Sequence, residues 1–464
     1  MMDKDSMMAP TLFPRDTAAE MAASLAAGTT TPEALLRTCL DRIAALDGTL
    51  HAWAHLDPDG AAMAAAASAA RHRAGAALGP LDGVPVSVKD NLHVAGMPAR
   101  WGSRFFADFV PAQDDIVVER LRAAGAVIVG KTSTPEFALS GRCFSPLTGH
   151  TRNPLNPALT PGGSSGGAVA AIAAGMVPLS VATDAGGSTR LPAGYTGLVG
   201  LRPSNGRIAR RHGFPPMALD FQAVGLIAAT LADLRLLYGA VAGPDARDPT
   251  SLRLPPEEPA GPGRRLRVGW CAAIEGELVD AEVRQAVAEA ASRLAAEGCE
   301  VVPCTIPYDL AALRAIWGVL TAVGVARMAA RFPERWEAEA SESLKPMAAR
   351  GATMTATEYV EALDALAAFR ADVSARWGAH DALLLPSAAA PAWPVEREFP
   401  AFIDGQPGHA RAQNVFATWV NAMGWPGLTV PGQPHPDGRP IGVQLVGSHG
   451  SEALLFELAR RLGA

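Results

Sequence analysis

VPVSVKD (84–90), DDIVVERLRAAG (114–125) and AVIVGK (126–131) follow one another as a short β-branched run, an amphipathic segment closed by Gly125, and a second β-branched run. Strand, helix, strand is the rhythm of a sheet covered by helices, and it predicts an α/β fold. Both apolar runs end in a lysine, Lys89 and Lys131. Upstream, TTTPEALLRTCLDRIAALD offers threonine caps, Pro32 in the first turn and leucines at helical spacing, and 61–77 reads as a second surface helix. Downstream, 178–183 is a further strand candidate after a helix at 165–175. LRVGW, DALLLP, PGLTVP and PIGVQLVG supply later strands, and a closing helix is expected at 452–462. Long helical patterns fill 280–297 and much of 308–377.

The 464 residues are 49% hydrophobic with a net charge of −6, so a large core is expected and no basic block invites nucleic acid or an anionic membrane. The first residues lack a charged segment followed by an apolar one, and the window 168–182 is broken by Gly175, Pro178 and Ser180. A cytoplasmic protein without a membrane segment is the expectation. Five scattered cysteines, with no CxxC pair, predict free thiols rather than disulfides or zinc. His51 and His55 share HAWAH but lack the glutamate of a metalloprotease helix, so no metal and no cofactor are expected. The Pro/Gly-rich stretch 242–265 reads as an exposed connection. It serves equally as a domain boundary or as a link within one sheet.

The chemistry concentrates in PGGSSGGAVAAIAAGM (161–176) and TDAGGSTRLPAGYTGLVGLRPSNGR (183–207). The first matches G-x-S-x-G formally, which would make Ser164 a nucleophile, but a nucleophile elbow needs a preceding strand and NPLNPALTPGG reads as loop. A phosphate nest is the second possibility, without the GxxxxGK[ST] lysine to support it. In the second segment Ser188 follows two glycines, and the amides of Ala185, Gly186, Gly187 and Ser188 can converge on an oxyanion. A serine still needs a base. A buried lysine can lose its proton and take that role, and at this level Lys89 and Lys131 compete.

Together, VPVSVKDN, PGGSSGGAVAAIAAGM and TDAGGSTRLPAGYTGLVGLRPSNGR resemble the amidase signature family in order and spacing. NAMGWPGLTVPG with GRPIGVQLVG resembles its closing pattern. The resemblance implies a single large domain over 1–464, with a central mixed β-sheet covered by helices on both faces. N-terminal helices would fill 1–80, the signature core 81–230, a mainly helical excursion walling the substrate pocket 280–400, and closing strands and a helix 401–464. It implies a Ser-cisSer-Lys triad: Lys89 as base, Ser164 as relay after a cis Gly163–Ser164 peptide, and Ser188 as nucleophile. Ser165, Asp184 and Arg190 would support the loop, the last two as an ion pair.

The implied activity is hydrolysis of a small-molecule carboxylic amide through an acyl-enzyme, releasing acid plus ammonia or amine. The alternatives are the glutaminase component of a glutamyl-tRNA amidotransferase, and a carbamate, urea-type or ester hydrolase on the same site. Such glutaminase components usually carry Gln where this chain has Leu191, and Asp where it has Asn414, seven positions before Asn421. Both departures weigh against glutamine and toward a free-standing enzyme that needs no nucleic acid and could form a homodimer. A catalytically dead binding protein is disfavoured because every triad position is filled. Candidate pocket residues are Arg142, Cys143 and Phe144 in SGRCFSPLTGH, and Phe214 and Met217 in RHGFPPMALD.

Overall fold

Residues 16–254 and 264–464 are described by the computed structural model of the chain. One 11-stranded mixed sheet organises them. Its strands, in chain order, are β1 (Trp53–Leu56), β2 (Pro85–Lys89), β3 (Val127–Thr132) and β4 (Leu179–Asp184). Next come β5 (Val199–Arg202), β6 (Ala223–Ala228), β7 (Arg267–Trp270) and β8 (Glu300–Pro303). The last three are β9 (Ala382–Pro386), β10 (Gly427–Pro431) and β11 (Gly442–Gly447). Across the sheet the order is β1-β3-β2-β4-β6-β5-β10-β11-β9-β7-β8. VPVSVKD and AVIVGK form parallel neighbours, β2 beside β3, joined by helix Ile116–Ala123.

Alternation along the buried strands feeds two cores, one on each face. Ile128, Val181 and Leu226 belong to the larger core, whereas Val127, Val129, Ala182 and Ile227 belong to the second. Helix Gly166–Ala173 packs into the second core with every side chain buried. Its run of small residues lets it lie close to the sheet, and this seats the preceding Gly/Ser loop at the ends of β2 and β4.

The elements expected at 280–297 and 308–377 form as helix Ala281–Ala296 and then as Leu310–Arg331, Pro333–Glu339, Lys345–Ala352 and Ala356–Arg376. The excursion is not wholly helical, because β8 and β9 fall within 280–400. Strands β7 and β8 on one side of the 242–265 connection join the same sheet as β1 to β6 on the other. Part of that connection, 255–263, lies outside the described residues, as does 1–15 of the expected N-terminal helical region. Among the described residues helix Leu310–Arg331, not 168–182, is the span long and apolar enough to cross a bilayer by composition, and Leu313, Ile316, Trp317 and Leu320 on it are buried within the fold. HAWAH does not form one helix: His51 ends a helix in left-handed conformation, and His55 sits in β1. The five cysteines are free thiols, four of them buried.

Candidate active site

Lys89 is the last residue of β2 and is wholly buried. Its Nζ lies 2.8 Å from Ser164 Oγ, 3.0 Å from Ser165 Oγ and 3.4 Å from the Thr183 carbonyl oxygen. Burial pushes its amine down to about 7, with the Asp184 carboxylate among the groups pulling the other way. The Gly163–Ser164 peptide is cis. Side chains other than hydrogen do not fit here: a Cβ on Gly163 would stand 2.5 Å from the Ser140 carbonyl oxygen and 2.7 Å from that of Arg142.

Lys131 points elsewhere. Its Nζ donates to the Leu92 carbonyl at 2.6 Å and lies 3.9 Å from Asp90 Oδ1. Burial lowers this amine too, to about 8, and raises the Asp90 carboxyl.

Ser188 follows β4 and faces a cavity of about 370 Å³ that Ser164, Ala185 and Gly186 also line. The Ser165 N–H donates to the Ser188 carbonyl at 3.1 Å, stitching the two serine loops together. Of the four amides expected to converge, Gly187 N–H is committed elsewhere, donating to Asp184 Oδ1 at 2.7 Å. Those of Ala185, Gly186 and Ser188 have no hydrogen-bond acceptor among the described residues. Gly187 adopts φ +108°, and a Cβ there would meet Leu191 Cδ1 at 2.3 Å. Glycine is what lets this turn close.

Asp184 and Arg190 pair at 3.0 Å, both fully buried. Asp184 also accepts from the Thr189 N–H at 3.0 Å and from Asn421 Nδ2 at 2.8 Å. Burial alone would push its carboxyl up, but these donors, Arg190 foremost, hold it well below the usual range. Arg190 continues the network to Gln444 Oε1 at 2.7 Å and Asn421 Oδ1 at 2.6 Å. Asn421 and Gln444 come from the closing pattern. Ser165 is more than loop support in this geometry, since its hydroxyl touches the lysine.

The pocket expectations divide. Met217 lines the cavity, but Arg142, Cys143, Phe144 and Phe214 do not. Arg142 donates to the Glu396 carbonyl at 2.6 Å, pairs with Glu398 and lies over the Phe144 ring. Phe144 packs on His150 in a small hairpin. Cys143 sits behind the start of helix 166–173, its Sγ directed at the Ser133 carbonyl. Phe214 stacks on Trp101 at 4.6 Å in an aromatic cluster behind the cavity wall. Residues not anticipated complete the wall: Trp317, Leu344, Met347, Arg411 and Gln413. They come from the helical excursion and the segment after it, and no local pattern marks them.

The sequence model of the Amidase family matches residues 34–456. The chain belongs to the amidase signature family. A curated relative from Acidothermus cellulolyticus, the A subunit of a glutamyl-tRNA(Gln) amidotransferase, is 41% identical over 65% of this chain and 61% of that protein. Its counterpart from Chloroflexus aggregans, which bears the same name, is 33% identical over 94% of this chain and 93% of its own length. A crystal structure described as an amidase superposes with a TM-score of 0.86 at 30% identity, covering 97% of this chain and 99% of that one. These relatives correct one expectation. The picture of an amidase signature enzyme with a small-molecule substrate, no nucleic acid and at most a copy of itself does not stand. The curated relatives are components of an assembly named for a tRNA. Cleavage of an amide C–N bond is the chemistry common to these names.

Proposed function

We propose that the chain is a serine amide hydrolase in which Lys89 is the base, Ser164 the relay and Ser188 the nucleophile. The observation that carries this is the wholly buried Lys89 amine, 2.8 Å from Ser164 Oγ beneath the cavity that Ser188 faces. A neutral amine has two N–H donors and one lone pair. Donation to Ser165 Oγ and the Thr183 carbonyl leaves the lone pair for the Ser164 hydroxyl. Ser164 then passes its proton to Lys89 while accepting that of Ser188, and Ser188 Oγ bonds to the amide carbon. The free amides of Ala185, Gly186 and Ser188 stabilise the oxyanion, about 3 kcal/mol for each well-placed donor. As the C–N bond breaks, the proton returns through Ser164 to the leaving nitrogen. Water deprotonated by the same relay then releases the acid.

The pH dependence has a definite sign. Lys89 is neutral above about 7 and protonated below it. With an uncharged amide as substrate, kcat/KM should therefore climb as pH rises through about 7, and fall roughly tenfold per unit on the acid side. Full activity persisting at pH 5 would remove Lys89 from the role of base.

Two uses of this chemistry have support. Likeness to the amidotransferase relatives along nearly their whole length favours glutamine hydrolysis in service of such an assembly. The site composition favours another amide: Leu191 lines the cavity, and Asn414 spends its Nδ2 on the Gly186 carbonyl at 2.8 Å. Neither supplies the negative charge that the α-ammonium of glutamine requires. The deciding experiment offers the enzyme glutamine, alkanamides and aryl amides in hydroxylamine. Hydroxamates and a Ser188 acyl adduct by peptide mass are expected from the amides taken, and none from the Ser188→Ala protein. Adducts elsewhere, or hydroxamate from Ser188→Ala, would refute the assignment. Turnover of glutamine alone would select the amidotransferase reading.

A further inference from the structure

A second chamber of about 480 Å³ adjoins the cavity at the serines, sharing with it Trp317, Met347, Arg411 and Asn414. Three arginines line it, and their charges are unequally balanced. Arg314 is neutralised by Glu277, with both nitrogens 2.6 and 2.7 Å from the carboxylate. No carboxylate among the described residues pairs with Arg350 or Arg411. Arg411 donates to Thr418 Oγ1 at 3.2 Å, and its guanidinium lies 4.6 Å over the Trp317 ring. Its backbone is left-handed, φ 68°, an unfavourable state for a residue with a Cβ that tertiary packing must enforce. Arg350, on helix Lys345–Ala352, lies against Gly318 of the 310–331 helix, with its guanidinium nitrogens 3.6 Å from where a Cβ would be.

Arg411 and Arg350 are both exposed residues, open to solvent on the chamber's side. A cation with no paired carboxylate among the described residues thus stands on the wall shared by the two cavities, where a ligand can reach it. Leu313, Pro346 and Val415 add apolar surface, beside the hydroxyl residues Thr321, Ser343 and Thr418. The combination suits a ligand with an apolar body and an anionic end.

We propose that this chamber binds a carboxylate carried by the amide substrate, with Arg411 as its principal partner and Arg350 as a second. The inference rests on the amide-hydrolase reading above and narrows its substrate class. Trp317 also packs against the oxyanion turn, where a Cβ on Gly186 would lie 3.1 Å from its ring. A carboxylate docked on the guanidinium above that ring would sit on the Gly186 side of the reacting carbonyl.

The test compares amides in matched pairs. Adipic acid monoamide against hexanamide places the carboxylate on the acyl part. N-(carboxypropyl)acetamide against N-butylacetamide places it on the amine part. In one of the two pairs the wild type should favour the carboxylated member by tenfold or more in kcat/KM, through KM. The Arg411→Gln protein should lose at least tenfold of that ratio, Arg350→Gln less, and Arg411→Lys should recover part of it. The pair showing the preference reports which half of the substrate enters the chamber. Ratios near or below one in both pairs, or a ratio untouched by Arg411→Gln in a folded protein, would overturn the proposal. Calorimetry of the carboxylated member of each pair on the Ser188→Ala protein, with and without Arg411→Gln, separates the two claims. Arg411-dependent binding without wild-type turnover would refute the hydrolase reading and keep the chamber. Turnover of neutral amides without such binding would refute the chamber alone.

Discussion

The Lys89→Met protein should hydrolyse amides about a thousandfold more slowly than the wild type, or worse, while remaining folded. The kinetic loss follows from removing the amine that contacts Ser164. The accompanying stability change distinguishes a base from a merely structural lysine. In the unfolded chain Lys89 titrates near 10.5, and in the fold near 7. Between those values the unfolded chain binds more protons, so burial of this amine costs stability, with the full cost below pH 7 and none above 10.5. Methionine carries no such cost. The melting temperature of Lys89→Met relative to wild type should therefore be more favourable at pH 6 than at pH 9. An equal difference at both pH values would mean that the amine is not held neutral, and the mechanism would fail with it.

Why Lys89 and not Lys131 is a matter of register, which neither local run reveals. Both lysines end buried parallel strands, and both amines are lowered by burial. In the β2–β3 ladder, Lys89 aligns with Thr132 and Lys131 with Val88. Aligned residues share a face and successive residues alternate, so the two lysines leave the sheet on opposite sides. Lys131 meets Leu92 and Asp90, while Lys89 meets the serines. A one-residue slip of β3 would bring both to the same face. The strand-helix-strand rhythm is legible because periodicity is local; the face presented by its last residue is not.

The same division accounts for the pocket. The Gly/Ser loops were readable because their chemistry lies in consecutive residues, in order along the chain. The wall was not. Phe214 and Met217 are close neighbours in sequence and both join the Trp101 cluster, yet only Met217 also reaches the cavity. Arg142 was a candidate pocket residue, but Glu398, 256 positions away, takes it. Trp317 reaches the site because the 310–331 helix packs over the oxyanion turn, and Arg411 comes from the segment before Ala412 to lie over the Trp317 ring. Gly186 shows that approach from the other side, as a residue where a methyl group would crowd the indole. Long-range packing decided each of these cases, and helical spacing on its own carries no record of it.

The Asp184→Asn protein should lose about 3–5 kcal/mol of stability, seen as a lower denaturant midpoint, together with most of its turnover. Asp184 is the carboxylate paired with buried Arg190, and it also gathers the N–H groups of Gly187 and Thr189 that shape the Ser188 turn. An amide in its place leaves the guanidinium without counter-charge and turns an –NH₂ toward groups that are themselves donors. The depressed carboxyl gives the same conclusion from the pH side. Its contribution is complete above the unfolded value near 3.8 and is lost only as pH falls toward the lower folded value, so acid sensitivity from this group belongs below about pH 4. The pH 7 acid limb of activity and the acid unfolding should therefore be separate events. Should Asp184→Asn keep wild-type stability, the Asp184–Arg190 pair would be incidental, and the turn that presents Ser188 would have to be held by Asn421 and Gln444 alone.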